Sequence, residues 1–225
     1  MSCQTYHLRM RRLFALLFCL WGGAATAHPH IFIDARVGLI FDDAGQLTAI
    51  RVAWVYDEFY SLVQLEELDL DPDGDGELTE PERAKLAGFD TDWIEGYEGD
   101  IYVKAGGQLV KLSGPTEPGA QMLGTQIETW HIRTLETPID PIAKPVEVKV
   151  YDPGFYTAYS VDADVALTGR AGCSVEVLPA DLNKAYDLVE ELLYGPGAEN
   201  VQEDNFPEVG EHFADTLTLK CVPGS

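Results

Sequence analysis

The stretch Ile31-Phe32-Ile33-Asp34-Ala35-Arg36-Val37-Gly38-Leu39 alternates. Ile31, Ile33, Ala35, Val37 and Leu39 fall on one side of an extended chain, and Asp34 and Arg36 on the other. A period of two is that of a strand buried on one face. Asp42-Asp43-Ala44-Gly45 supplies turn chemistry, and residues 47–56 run back as a second strand, which makes a hairpin. Further strands are predicted over 101–104 and 108–112 around Ala105-Gly106-Gly107, then over 126–135, 146–151, 156–168 and 173–177, with a last one within 213–221. One late helix is predicted from Asp181, a good N-cap, to Gly195, a good stop, with Leu182, Ala185, Val189, Leu192 and Leu193 as its apolar stripe. Residues 195–210 are acidic and contain Pro and Gly, so they read as an exposed loop. The pattern predicts an α+β fold: a mainly antiparallel β sheet or sandwich carrying a helical insertion and one late helix.

The insertion spans 58–98 and is built on Asp71-Pro72-Asp73-Gly74-Asp75-Gly76-Glu77-Leu78-Thr79-Glu80-Pro81-Glu82. These twelve residues fill the positions of an EF-hand loop. Calcium takes six to eight hard oxygens, and such a loop offers them from Asp71, Asp73, Asp75, the carbonyl of Glu77, Thr79 and a bidentate Glu82. Gly76 stands where the chain turns sharply, and Thr79 with Glu82 forms a capping box that starts the exit helix. Phe59, Leu62 and Val63 before the loop, and Leu86, Phe89, Trp93, Ile94 and Tyr97 after it, lie at helical spacing. Helix, loop, helix is therefore expected, with Ca2+ in a structural role.

Residues 1–27 have the three parts of a cleaved secretory signal: Arg9, Arg11 and Arg12, an apolar core over 13–21, and the small-residue site Ala25-Thr26-Ala27. The core is too short for a spanning helix. Cleavage after Ala27 starts the mature chain at His28 and leaves a single β-rich domain, 28–225. Losing three arginines and no acids takes the formal net charge from −23 to −26. That surface repels nucleic acid and anionic lipid and concentrates cations. No later apolar run is long enough to span a membrane, so a soluble, periplasmic product is expected. Cys173 and Cys221 remain as an even pair, read as a disulfide. No phosphate-cradling glycine loop and no nucleophile motif is present, so the chain does not read as an enzyme.

The mature chain keeps four histidines, His28, His30, His131 and His212. His28 and His30 are two apart, and on a strand such residues face the same side. The α-amine of His28 titrates near neutral pH and adds a third nitrogen. Pro29 has no amide proton to give up, which blocks a square-planar chelate on consecutive amides and favours an imidazole site open to zinc, nickel, cobalt or copper. His131 and His212 are candidates to complete it.

The signal followed by His28-Pro29-His30, the segment Tyr56-Asp57-Glu58-Phe59-Tyr60, the acidic loop, and Tyr151-Asp152-Pro153 followed by Phe155-Tyr156 together resemble a bacterial family of unknown function. Its members are usually labelled the periplasmic component of an uncharacterised ABC-type transport system. The resemblance covers most of the mature chain to about Tyr159. Relatives are associated with membrane proteins resembling nickel/cobalt exporters, and one branch with periplasmic zinc supply. The resemblance implies metal handling: an accessory protein that holds Zn2+, Ni2+ or Co2+ at His28, His30 and His131 or Asp152 and exchanges it with a membrane metal transporter. The alternative is a calcium-stabilised β-domain that binds a protein or small molecule through its aromatic surface, with the histidines incidental.

Overall fold

The computed structural model describes residues 29–196 and 207–223. The expected signal segment, His28 and most of the expected 195–210 loop lie outside the described residues. The hairpin forms as read: β1 (Ile31–Phe41) and β2 (Leu47–Tyr56) pair antiparallel from Ile33↔Tyr56 to Phe41↔Leu47. Around them assemble β5 (Thr116–Leu123), β6 (Gln126–Ile139), β8 (Thr157–Val161) and β9 (Ala166–Thr168). The order is β5-β6-β2-β1-β8, with β9 also pairing β1. A second, all-antiparallel sheet runs β10 (Cys173–Leu178), β11 (Thr216–Cys221), β7 (Val146–Val150), β3 (Ile101–Ala105), β4 (Gln108–Val110).

The alternation that identifies β1 also places the core. Ile33, Ala35, Val37, Leu39 and Phe41 share one buried cluster with Val52 and Trp54 of the first sheet and with Ile101, Val103, Val146, Val148, Leu217 and Leu219 of the second. Each such aliphatic side chain contributes roughly 1.5–3 kcal/mol when it leaves water, and the two inner faces supply one another's cover. The result is an α+β sandwich with its helices at the edges.

Three local readings change. The first concerns β1, which is parallel to β8 and β9 (Ile31↔Thr157, Gly38↔Ala166), so the first sheet is mixed. A parallel pair needs a long connection, and here everything from β2 through β7 supplies it. The second concerns β5, which carries Pro118 and Gly119 and so gives no strand signal. It forms because it is an edge, where a missing amide donor is tolerated. Its register shifts between Thr116 and Gly119, and a side chain at Gly119 would meet the ring of Trp130 opposite.

The third concerns the insertion. Helix α1 (Glu58–Glu67) is N-capped by Asp57, whose Oδ1 accepts from Tyr60 N at 2.8 Å and whose Oδ2 accepts from Phe32 N at 2.9 Å. This cap fixes the helix phase so that Ser61 is buried, with Phe59 and Leu62 left 75% and 61% exposed. Two residues of the expected apolar face thus point to solvent, and Val63 is half-buried. Helix α2 (Glu80–Leu86) keeps the capping box of Thr79 and Glu82 but stops after two turns. The helical spacing of Phe89, Trp93, Ile94 and Tyr97 is not realised, because Gly88 at φ +84° breaks the helix and residues 87–100 continue as turns. The late helix, α3 (Leu182–Tyr194), has Asp181 and Gly195 at its ends as read.

Cys173 and Cys221 face each other across β10 and β11 and are joined by a disulfide over a sequence separation of 48. The closed loop contains α3. Chain-entropy arithmetic for a loop of this size gives about 4 kcal/mol of stabilisation. Replacing both cysteines by serine should lower the urea midpoint correspondingly and steepen the transition, because the denatured chain without the cross-link exposes more surface.

Candidate functional site

Two polar constellations are built by the insertion, one on its surface and one beneath it. On the surface, the 71–82 loop folds around Asp71, whose Oδ1 accepts from Asp75 N and Oδ2 from Gly76 N, each at 3.0 Å. Asp71, Asp73 and Asp75 offer ligand oxygens that all lie within 4.8 Å of one another. Among the described residues no other group of three His, Cys, Asp or Glu converges in this way. Glu82 stands beside the triad: its Oε1 accepts from Asp71 N at 3.2 Å and its Oε2 from Thr79 N at 2.7 Å. The Thr79 hydroxyl also donates to Glu82 Oε2, at 2.5 Å, and this bond together with that from the Thr79 amide holds the Glu82 carboxyl below its usual pKa. Gly74 and Gly76 take φ +69° and +79°, the left-handed turn the loop requires, and Leu70 and Leu78 anchor it in the core. Three convergent carboxylates with the Glu77 carbonyl and Thr79 nearby in sequence are a donor set of hard oxygens that suits Ca2+.

The histidines are distributed differently from the loop. His30 is exposed, with its amide bonded to Tyr156 O at 2.8 Å and its ring stacked on that of Tyr156 at 4.6 Å. Its even position puts it on the outer side of β1. His131 is opposite Val52 on β2 and lies on the inner side, 1% exposed. The structure therefore does not bring His131 and His30 together. Asp152 accepts from Gly154 N at 2.9 Å and Thr157 N at 3.0 Å and so shapes the turn before β8. His212 lies in a 3-10 turn, Gly210–Phe213, which rests against this turn through Gly210; a Cβ there would strike the Asp152 carbonyl.

The second constellation lies between the sheets. Strand β6 turns Thr129, His131 and Arg133 inward, and all three are buried. The 87–100 segment crosses over them. Asp90 Oδ2 accepts from Thr129 Oγ1 at 2.6 Å and from Tyr56 OH at 2.8 Å. The Arg133 guanidinium lies 4.6 Å from the Trp93 ring centroid and donates to Glu98 O at 2.9 Å. Gly99, at φ +69°, lets the Trp93 ring and Arg133 lie where a side chain would otherwise be. From the start of β3, Asp100 Oδ2 accepts from Tyr159 OH at 2.7 Å. Between Asp90 and Asp100 is a cavity of about 140 Å³ lined by both carboxylates and by Trp54, Tyr56, Tyr60, Trp93, Tyr97 and Tyr159. Asp90 Oδ1, Asp100 Oδ1 and both ring nitrogens of His131 are buried without a hydrogen-bond partner in the protein.

Sequence reading passes over this cluster because its members come from five separated segments and share no spacing. The available signal was the density of Asp and aromatic residues in Phe89-Asp90-Thr91-Asp92-Trp93 and Tyr97-Glu98-Gly99-Asp100, which the helical-stripe reading absorbed.

Burial dominates the electrostatics. It pushes Asp100 up to about 7, against the opposing hydrogen bond from Tyr159, and Asp152 adds to the rise. Burial likewise takes His131 down to about 4 and raises Tyr56, Tyr97 and Tyr159, so the histidine is neutral and the phenols are protonated donors at pH 7. Between about pH 4 and 7, folded Asp100 holds a proton that the unfolded chain has released, so its contribution to stability falls as pH rises through that window. His131 acts in the opposite sense: below its unfolded pKa near 6.5, the unfolded chain takes up a proton that the native state refuses until about pH 4. Asp100→Asn removes the first effect alone. It should be more stable than wild type by roughly 2–4 kcal/mol at pH 8, with the gain shrinking steadily by pH 4.5, measured by urea unfolding at several pH values in the absence of divalent cations.

No helix among the described residues is long and apolar enough to cross a membrane. No curated protein matches the sequence. Residues 13–221, nearly the whole chain and both sheets, match a family described as a protein of unknown function, DUF1007, and the chain belongs to that family.

Proposed function

We propose that this chain is a periplasmic, calcium-stabilised metal-binding accessory protein that carries Zn2+, Ni2+ or Co2+ for a membrane metal transporter. The observation that carries the reading is the convergence of Asp71, Asp73 and Asp75 on one point within a glycine-turned, core-anchored loop. Like charges held this close repel, and the arrangement is favourable when a divalent cation neutralises them. The loop binds calcium and holds α2 and the 87–100 segment against the sheets.

The transition metal is held separately, at His28 and His30, after export and cleavage behind Ala27. The exposure of His30 supports this, as does the anchoring of its backbone on Tyr156. His131 is enclosed on the other side of β1 and β2, and Asp152 serves its turn, so neither is needed as a ligand. Two imidazoles and an α-amine leave a tetrahedral ion with an open position. An open position beside the exposed His30 is what transfer to a partner protein requires. The strongly acidic surface raises the local concentration of cations around it.

Two experiments test the two sites independently. Saturating calcium should raise the melting temperature, by roughly 2.7 kcal/mol of stabilisation at a hundredfold excess over Kd, and Glu82→Gln should abolish most of that rise. Zinc titrated calorimetrically into the calcium-loaded mature protein should bind less tightly when His30 is Ala or when one residue is added before His28, with the calcium response intact. Identical zinc binding in all three proteins would remove the N-terminal site.

A further inference from the structure

His30 stands at the edge of a group of exposed apolar side chains that the fold does not use. His30 and Phe32 are two apart and both are exposed on the outer side of the first sheet, and the His30 ring stacks on Tyr156 at 4.6 Å. Burial raises the Tyr60 phenol, and Tyr156 is among the nearby groups that add to the rise, so the first turn of α1 adjoins Tyr156. Phe32 is tied to the same turn, since its N donates to the Asp57 carboxylate and its O accepts from Asp57 N. The beginning of β1, Tyr156 and the start of α1 therefore form one surface. On it Phe32, Tyr156, Phe59 and Leu62 are 54%, 46%, 75% and 61% exposed. Single exposed apolar residues are ordinary, whereas several large ones together within a polar rim mark an interaction site. The rim here is acidic: Asp34, Glu58 and Glu66 are exposed, and Arg36, the one cation of β1, is paired with Glu128. Between Arg51 and Arg83 the chain has eleven Asp and Glu and no Lys or Arg.

We propose that this patch is the surface on which the metal's partner protein docks, and that it takes a segment presenting apolar side chains together with lysine or arginine. The inference rests on the metal-carrier reading above and names the surface that reading needs. Three of the four exposed side chains are aromatic rings, the residue type that anchors protein interfaces. Cations on the incoming segment meet the acidic rim, which steers the encounter and fixes its orientation. The same charge argues against the other occupants. A second copy would bring two acidic rims together, and an anionic lipid surface would be repelled. Because His30 borders the patch through Tyr156, a segment seated on the rings stands next to the N-terminal ion, where transfer takes place.

The probe is a short synthetic amphipathic helix of lysine and leucine, titrated calorimetrically into the calcium-loaded mature protein. Two control peptides carry serine in place of leucine, or glutamate in place of lysine. The lysine/leucine peptide should bind saturably, and each control should bind at least about tenfold more weakly. The double variant Phe59→Ser/Leu62→Ser and, independently, Phe32→Ser should each weaken the peptide at least about tenfold, with calcium response and circular dichroism unchanged. Leu178→Ser, at an exposed apolar residue of the other sheet, should leave it unchanged. Equal binding by wild type and both patch variants overturns the proposal, as does equal binding of the serine peptide, which would make the contact one of charge alone. Binding to phosphatidylglycerol vesicles that needs Phe59 and Leu62 would assign the patch to lipid, and sedimentation showing a wild-type dimer lost in the double variant would assign it to a second copy; either overturns the proposal. Zinc titration separates the two readings. Intact zinc binding without patch-dependent docking removes this surface and leaves the metal site standing, whereas no zinc binding by wild type removes the reading on which the surface rests.

Discussion

Strand β6 turns three polar side chains into the space between two sheets, and the 87–100 segment is arranged around them. An inward Thr129, His131 and Arg133 in place of aliphatic residues would be costly if left bare. The 87–100 segment answers two of the three with named partners: Asp90 for Thr129, and the Glu98 carbonyl and Trp93 ring for Arg133. For that segment to lie across β6, α2 must end early, Gly88 must turn, and Gly99 must leave room for a tryptophan. The insertion is therefore part of the sandwich core, and its acidic loop stands at one end of a strap whose other end is β3.

The parts of the fold legible in the sequence are those where one local rule acts alone. The alternation in β1 and β2, the Asp181 and Gly195 ends of α3, and the Thr79/Glu82 capping box each depend on residues within a few positions of one another. The glycines and aspartates of the 71–82 loop are similarly local. Illegible were the features decided by a partner distant in sequence. Phe89, Trp93 and Tyr97 have helical spacing, and only the polar face of β6 shows why they lie over a sheet instead. Edge position rescues a proline-bearing β5, and edge position cannot be read from Pro118 itself. The phase of α1 follows from an Asp57 that caps the helix and also binds Phe32 N, so a tertiary bond decides which side of the helix is inside.

The candidate sites divide along the same line. Three loop carboxylates converge because they are neighbours in a turn, whereas His30 and His131 have similar chemistry and opposite sides of a sheet between them. Parity settles that point: His30 continues the outward alternation just before β1, and a residue opposite Val52 faces inward. The aromatic and carboxylate lining of the inner cavity is drawn from β2, α1, the strap and β8, and no spacing in the sequence unites them.

The parallel pairing of β1 with β8 has a consequence for how the chain acquires its structure. Ile31 is matched with Thr157, so the strand nearest the beginning of the described chain gains its second neighbour only after more than half of the polypeptide has been made. Until then the β1/β2 hairpin is an open edge with a row of unpaired amides and an apolar inner face. Contacts of such high sequence separation place the loop-closure entropy before the reward and slow the search. A chain with this topology completes its first sheet only when β8 is available and its second only when β11, close to the last described residues, joins β7 and β10.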